Sequence, residues 1–143
     1  MDSLDQQLLA LLRQDARASV ATLAHKLGVS RGTVNNRITK MEDAGIITGY
    51  TVSLAANDRS RVIQAMVLIA IESKSEPQVV KALSQRHEID KLYSVSGKYD
   101  LCAMVSTDST HELDNLLDRM REVKGVQETF STLLLATKID RPV

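Results

Sequence analysis

Residues 27–47 read LGVSRGTVNNRITKMEDAGII. In its first four residues Gly28 stops one helix, and Ser30, two positions later, caps the next. A link this short forces the two helices into a sharp angle, the helix-turn-helix geometry. Upstream, Ser19 is a good N-cap for a helix carrying Val20, Leu23, Ala24 and Leu27 on one side. Before it, Leu4, Leu8, Leu11 and Leu12 form the apolar stripe of a first amphipathic helix. The third helix ends near Ala44-Gly45, and IITGYTVSL beyond it alternates in part like a strand around Gly49.

The third helix has two distinct sides. At about 100° per residue, with Val34 at zero, Ile38 falls near ~40° and Met41 near ~−20°, so these three face a core. Opposite lie Gly32, Asn36 and Thr39, flanked by Thr33 and Lys40 on one side and Asn35 on the other. The window Ala16–Met41 contains Arg17, Lys26, Arg31, Arg37 and Lys40 and no acid. A solvated basic face is what such composition alone implies most often. The preceding capped helix, the Gly turn and the acid-free window together favour a polyanion, specifically the major groove of double-stranded DNA. Asn can pair bidentately with adenine, Thr can meet a thymine methyl or a phosphate, and the helix start at Ser30 favours a phosphate. The candidate DNA-binding residues are Ser30, Arg31, Thr33, Asn35, Asn36, Arg37 and Lys40. Arg31 and Arg37 sit at the borders of the apolar stripe, better placed for phosphates or intradomain ion pairs than for bases. For Arg37 an ion pair with Glu42 or Asp43 weighs equally with a phosphate contact.

The rest of the chain changes character. Residues 1–61 hold 8 Lys/Arg and 6 Asp/Glu, a balance of +2, and residues 62–143 hold 10 and 12, a balance of −2. AANDRSR (55–61) is polar and aperiodic and reads as a linker between a domain over 1–54 and one over 62–143. In the second domain, VIQAMVLIAIES is a strand; SEPQVVKALSQRH, with Ser75 and Pro77 as start signals, is a helix; KLYSVSG and DLCAMVST flank a hairpin. STHELDNLLDRMREVKG is a helix ended by Gly125, and VQETFSTLLLATKI is a final strand. This order is that of the ferredoxin-like βαββαβ sandwich, so the expected fold class is α+β: an N-terminal winged-helix/helix-turn-helix domain followed by a ferredoxin-like domain. Met66–Ile71 and Leu133–Ala136 are continuously apolar, whereas helices can cover only one face of the sheet. The other face therefore calls for a second sheet, which predicts a homodimer; coverage by the N-terminal domain of the same chain is the lesser alternative.

The stretch LDQQLLALLRQDARASVATLAHKLGVSRGTVNNRITKMEDAGIITGYTVSL resembles the N-terminal domain of the Lrp/AsnC (feast/famine) transcription regulators, and VSGKYDL and KGV are similar to that family's effector and dimerisation domain. The resemblance covers nearly the whole chain. It implies dimers assembling into octamers or similar rings, and a small effector, commonly an amino acid. The matching Gly-x-Tyr-Asp segment borders the family's effector pocket between subunits. Carried over, Gly97 and neighbouring N–H groups would hold an α-carboxylate, Asp100 an α-ammonium, and Tyr99 would form a wall. Thr107, Ser131 and Leu133 follow by approximate position. From the residues alone, an Asp capping its own turn is the more common reading of SVSGKYDL. Lys98 stands where the family often has an acid or another polar residue, and would either favour an acidic effector or point into water.

Other classes are weaker. No GxxxxGK, HExxH or ordered Ser-His-Asp set is present, and His25, His87 and His111 are scattered, so neither catalysis nor a cofactor is expected. His111, Glu112, Asp114 and Asp118 share a helix with a Leu stripe and read as a solvated face, with no metal expected. Cys102 is a lone core residue without a disulfide partner. No stretch approaches the roughly 20 apolar residues of a membrane span, and the acidic, amphipathic N-terminus is unlike a signal peptide, so the expected location is the cytoplasm with no membrane partner. An architectural DNA-binding protein indifferent to any effector has the same fold and the same third helix.

Overall fold

A computed structural model describes residues 1–55 and 62–141. Of the expected linker only Ala55 is among them; residues 56–61 lie outside the described residues. The chain divides into two compact units, one over Met1–Ser53 together with Arg141 and one over Leu54–Asp140.

The first unit holds three helices, α1 (Ser3–Gln14), α2 (Val20–Leu27) and α3 (Arg31–Asp43). Asp2 and Asp5 form a reciprocal capping box at the start of α1, each carboxylate accepting the other's backbone N–H at 3.0–3.2 Å. The turn between α2 and α3 is a Schellman motif. Gly28 takes φ 67°, its N–H bonds to the His25 carbonyl, and Val29 N–H bonds to the Ala24 carbonyl at 3.1 Å. Only a glycine holds that φ without strain, and Val29 then packs into the core made by Leu8, Leu12, Leu23, Ala24, Val34 and Met41. The expected strand after α3 is not formed. Thr48–Leu54 is irregular and exposed among the described residues, because this three-helix unit offers no strand for it to pair with.

The second unit is a four-stranded antiparallel sheet, order β2-β3-β1-β4, with α4 (Glu76–Ser84) and α5 (Thr110–Glu122) on one face. Its strands are β1 (Ile63–Ile71), β2 (Ile89–Ser94), β3 (Leu101–Thr107) and β4 (Val126–Leu134). This is the ferredoxin-like arrangement. The run in β1 that reads as continuously apolar sorts into two faces: Ala65, Val67, Ile69 and Ile71 are buried, while Met66, Leu68 and Ala70 on the reverse are half-buried. Val79 and Leu83 of α4 and Leu113, Leu116 and Met120 of α5 complete the buried side. Ser75 is the N-cap of α4 as expected but makes no side-chain cap bond, Pro77 supplying the start signal; α4 ends at Ser84, short of His87, β2 runs from Ile89 to Ser94, and β4 stops at Leu134, where its ladder with β1 ends at Gln64.

Candidate nucleic-acid interface and effector site

The Ser30 hydroxyl accepts the Thr33 backbone N–H at 3.1 Å and lies 2.8 Å from the Thr33 hydroxyl, so both side chains serve the cap of α3. Val34 and Met41 are buried, as the helical wheel requires. Arg31, Gly32, Asn35, Asn36, Thr39 and Lys40 are exposed, and among the described residues no side-chain partner is found for Arg31, Asn35, Asn36 or Lys40. The outer face of α3 thus carries uncommitted amide and cationic donors and no carboxylate before Glu42.

Arg37 behaves differently. Its guanidinium bonds to the Asp2 carboxylate and lies 3.4 Å from Asp5 Oδ1, so its ion pair is with the N-terminus of α1 and not with Glu42 or Asp43. Arg37 lies on the α1 side of α3, about 60° from Val34, which places it beside the capping box. The Asp5 backbone N–H, and then Arg37, hold the Asp2 carboxyl below its ordinary range, while the Asp2 hydrogen bond and charge hold Arg37 above its own. The D-x-x-D spacing at the start of α1 was the available sequence signal for this pair. Near the end of the unit, desolvation and then the Glu42 charge push the Tyr50 phenol up.

In the second unit the β2–β3 hairpin folds back over the end of β1. Gly97 has φ 107°, Val95 N–H bonds to the Asp100 carbonyl at 3.0 Å, and Asp100 N–H bonds to the Ile69 carbonyl at 2.9 Å. The Asp100 carboxylate accepts the Ile71 N–H on Oδ2 at 2.8 Å, which ties the hairpin to β1 and leaves Oδ1 on an exposed residue. Tyr99 reaches across to β4, its ring centroid 6.5 Å from that of Phe130. Lys98 follows it, 5.5 Å from the Tyr99 ring and 4.0 Å from Glu128 Oε1. The cation beside the hairpin therefore has a carboxylate neighbour of its own.

The other three effector candidates lie elsewhere within the subunit. Ser131 pairs with Val67 and Leu133 with Ala65, and both line a groove of about 390 Å³ with Thr110, Leu113 and Leu117. Thr107 pairs with Ile63, is buried, and donates its hydroxyl to the Ser109 carbonyl ahead of α5. Between Ile63 and Ile71 the strand spans roughly 26 Å at about 3.3 Å per residue. Within one chain, then, Gly97, Tyr99 and Asp100 come together, Ser131 lies at the middle of the sheet on the helix-covered face, and Leu133 and Thr107 lie toward its far end.

Comparison with known proteins agrees with both halves of this description. An AsnC-type helix-turn-helix domain matches residues 1–42, and an Lrp/AsnC ligand binding domain matches residues 64–143. The chain is 31% identical over 129 residues to a Pyrococcus furiosus HTH-type transcriptional regulator, covering 90% of this chain and 87% of that one. The structure of E. coli AsnC superposes with a TM-score of 0.89 at 28% identity, covering 100% of this chain and 97% of that one. An AsnC family transcriptional regulator from Agrobacterium tumefaciens superposes with a TM-score of 0.85 at 26% identity, covering 98% and 94%. With a helix-turn-helix unit, a ferredoxin-like unit and these matches spanning both, the chain belongs to the Lrp/AsnC family of transcription regulators.

Proposed function

We propose that this regulator works in the cytoplasm as a homodimer, or a ring of dimers, that reads a two-fold-related DNA site with α3 of two subunits and is modulated by a small amino acid. The observation that carries the reading is the outward face of α3, where Asn35, Asn36 and Lys40 are exposed and without side-chain partners among the described residues, on a helix with no carboxylate before Glu42. Asn36 serves as the base-reading residue, and Arg31 and Lys40 as phosphate contacts. Dimerisation is supported by the sheet face away from α4 and α5, where Met66, Leu68 and Met104 are only half-buried and Tyr93, Phe130 and Leu134 are exposed. An exposed apolar face of this kind marks an interaction surface.

For the effector, the unengaged Oδ1 of Asp100 suits an α-ammonium, and the hairpin backbone beside Gly97 suits a carboxylate. Tyr99 supplies the wall. Thr107, Ser131 and Leu133 join such a pocket only across a subunit boundary. The test is thermal unfolding against each of the twenty amino acids at millimolar concentration, followed by DNA titration with any that stabilise. A ligand at about 100 times its dissociation constant adds roughly 2.7 kcal/mol, a readily measured shift. A stabilising amino acid that also changes DNA affinity supports the reading; DNA binding indifferent to every one of them favours the architectural alternative.

A further inference from the structure

We infer that Met66 and Met104 form a paired sulfoxidation site, at which peroxide turns the open sheet face from apolar to polar and keeps two subunits apart. The inference rests on the reading of that face as the contact between subunits. Met66 and Met104 are direct partners in the β1–β3 register, both on the face away from α4 and α5. Side chains directly opposite on antiparallel strands have Cβ atoms about 4.5–5.5 Å apart, so the two thioethers lie side by side. Lys91 stands beyond Met104 and Thr132 beyond Met66, with Leu68 and Cys102 in the next row, which puts the pair at the middle of the face.

Position separates these two from the other methionines. Of the five in the chain, Met41 and Met120 are buried at 2% and 1% exposure, and Met1 is the first residue of the helical unit. Met66 and Met104 alone are half-buried, with part of each side chain open in a free subunit. Cys102 shares their face but is closed in between Leu68 and Tyr93, so the thioethers are the sulfurs that an oxidant meets first. In a dimer they are covered, and peroxide reaches them when the subunits part. Each sulfur then takes one oxygen from hydrogen peroxide: the O–O bond breaks, sulfur is oxidised by two electrons to the sulfoxide, and the remaining oxygen leaves as water. In a free subunit the sulfoxide oxygens stay hydrated, so the fold persists. Against a second apolar sheet they have no donor, and re-pairing leaves polar groups out of water and unsatisfied. Reduction of the sulfoxides returns the apolar face.

The test treats the full chain with hydrogen peroxide, then follows peptide masses after digestion and the mass of the intact protein by light scattering. The peptides that hold Met66 and Met104 should each gain one oxygen, more slowly as protein concentration rises, and the light-scattering mass should halve, or a ring fall to smaller pieces. Methionine sulfoxide reductases should restore the mass, whereas dithiothreitol, which reverses disulfide or sulfenic oxidation at Cys102, should not. A Met66→Leu/Met104→Leu variant, close in volume and unable to take up oxygen, should show the same mass with and without peroxide. A wild type that gains both oxygens and keeps its mass overturns the proposal, as does one whose two thioethers stay unoxidised while Met1 is converted. An equal loss of mass in the leucine variant overturns it too and assigns the effect to another group. A wild type already monomeric before peroxide is added removes the dimer itself, and the proposal falls with it.

Discussion

Arg37, midway along α3, is ion-paired with Asp2, the N-cap of α1. The same carboxylate accepts the Asp5 N–H on its other oxygen, so one side chain both starts the first helix and anchors the third. The anchored guanidinium fixes how the outer face of α3 is presented, and Asn36 and Lys40 inherit that orientation.

A pH dependence follows from this pair. Asp2 is held below its ordinary value of 3.8, by the Asp5 N–H first and Arg37 next. A depressed folded-state pKa stabilises fully above the unfolded value and is lost as pH falls through the folded one. The unfolding midpoint should therefore drop as pH is taken from about 5 to about 3, with part of that slope due to Asp2. Asp2→Asn keeps a good N-cap and loses the titration, so circular dichroism melts of the variant should show the shallower slope. Equal slopes would assign the acid sensitivity to other carboxylates.

How far the sequence could be read depended on the range of each interaction. The α2–α3 turn was legible because Gly28 and Ser30 act within a few residues, and the stripes of α1 and α5 because helical period is local. The strand expected around Gly49 failed for want of a partner, which no local pattern reveals. Arg37 illustrates the same limit: local sequence offers it either a phosphate or the nearby Glu42 and Asp43, while the acids it pairs with lie more than thirty positions away and become neighbours only when α1 packs on α3. Likewise Gly97, Tyr99 and Asp100 were found as a contiguous motif. Thr107, Ser131 and Leu133, assigned by approximate position, sit where strand register puts them.

Gly125 is the most crowded of the glycines. It has φ 101°, and a Cβ built there would stand 2.5 Å from Ser75 Cβ and 3.2 Å from Val79 Cγ2. Its carbonyl also accepts the Glu72 N–H at 2.9 Å, so the turn cannot drift without breaking that bond. Backbone strain and overpacking together should make Gly125→Ala cost about 2–5 kcal/mol, readable by urea denaturation.

On α3, substitutions should separate recognition from attraction. Asn36→Ala should lose about 1–3 kcal/mol of discrimination at one base pair, measured by anisotropy with operator variants at fixed salt. Lys40→Ala should weaken binding to every sequence alike and lower the salt slope by about 1. If neither alters binding, another surface contacts DNA.

The open sheet face should hold two subunits together. Met66 lies at its centre in β1, half-buried and opposite Met104 of β3 and Thr132 of β4. In a free subunit a glutamate there can lead its carboxylate to water, so the fold survives, but against a second apolar sheet the charge is desolvated. Met66→Glu should halve the mass found by light scattering at micromolar concentration, or reduce a ring to smaller pieces. A wild type that is itself monomeric would remove the basis for the dimer.

Asp100 has two roles that a pair of substitutions can divide. One oxygen holds the hairpin to β1 through Ile71 N–H, and the other is proposed to meet the effector ammonium. Asp100→Ala removes both, leaving the Ile71 donor without its acceptor, at a cost of about 1–3 kcal/mol where it is buried. Asp100→Asn keeps an acceptor for Ile71 and removes only the charge. If the carboxylate binds an α-ammonium, both variants lose the effector response while DNA affinity without effector is kept, and only the alanine variant melts earlier. If the hairpin bond is all that matters, Asp100→Asn responds like the wild type, and the charge of Asp100 has no part in sensing.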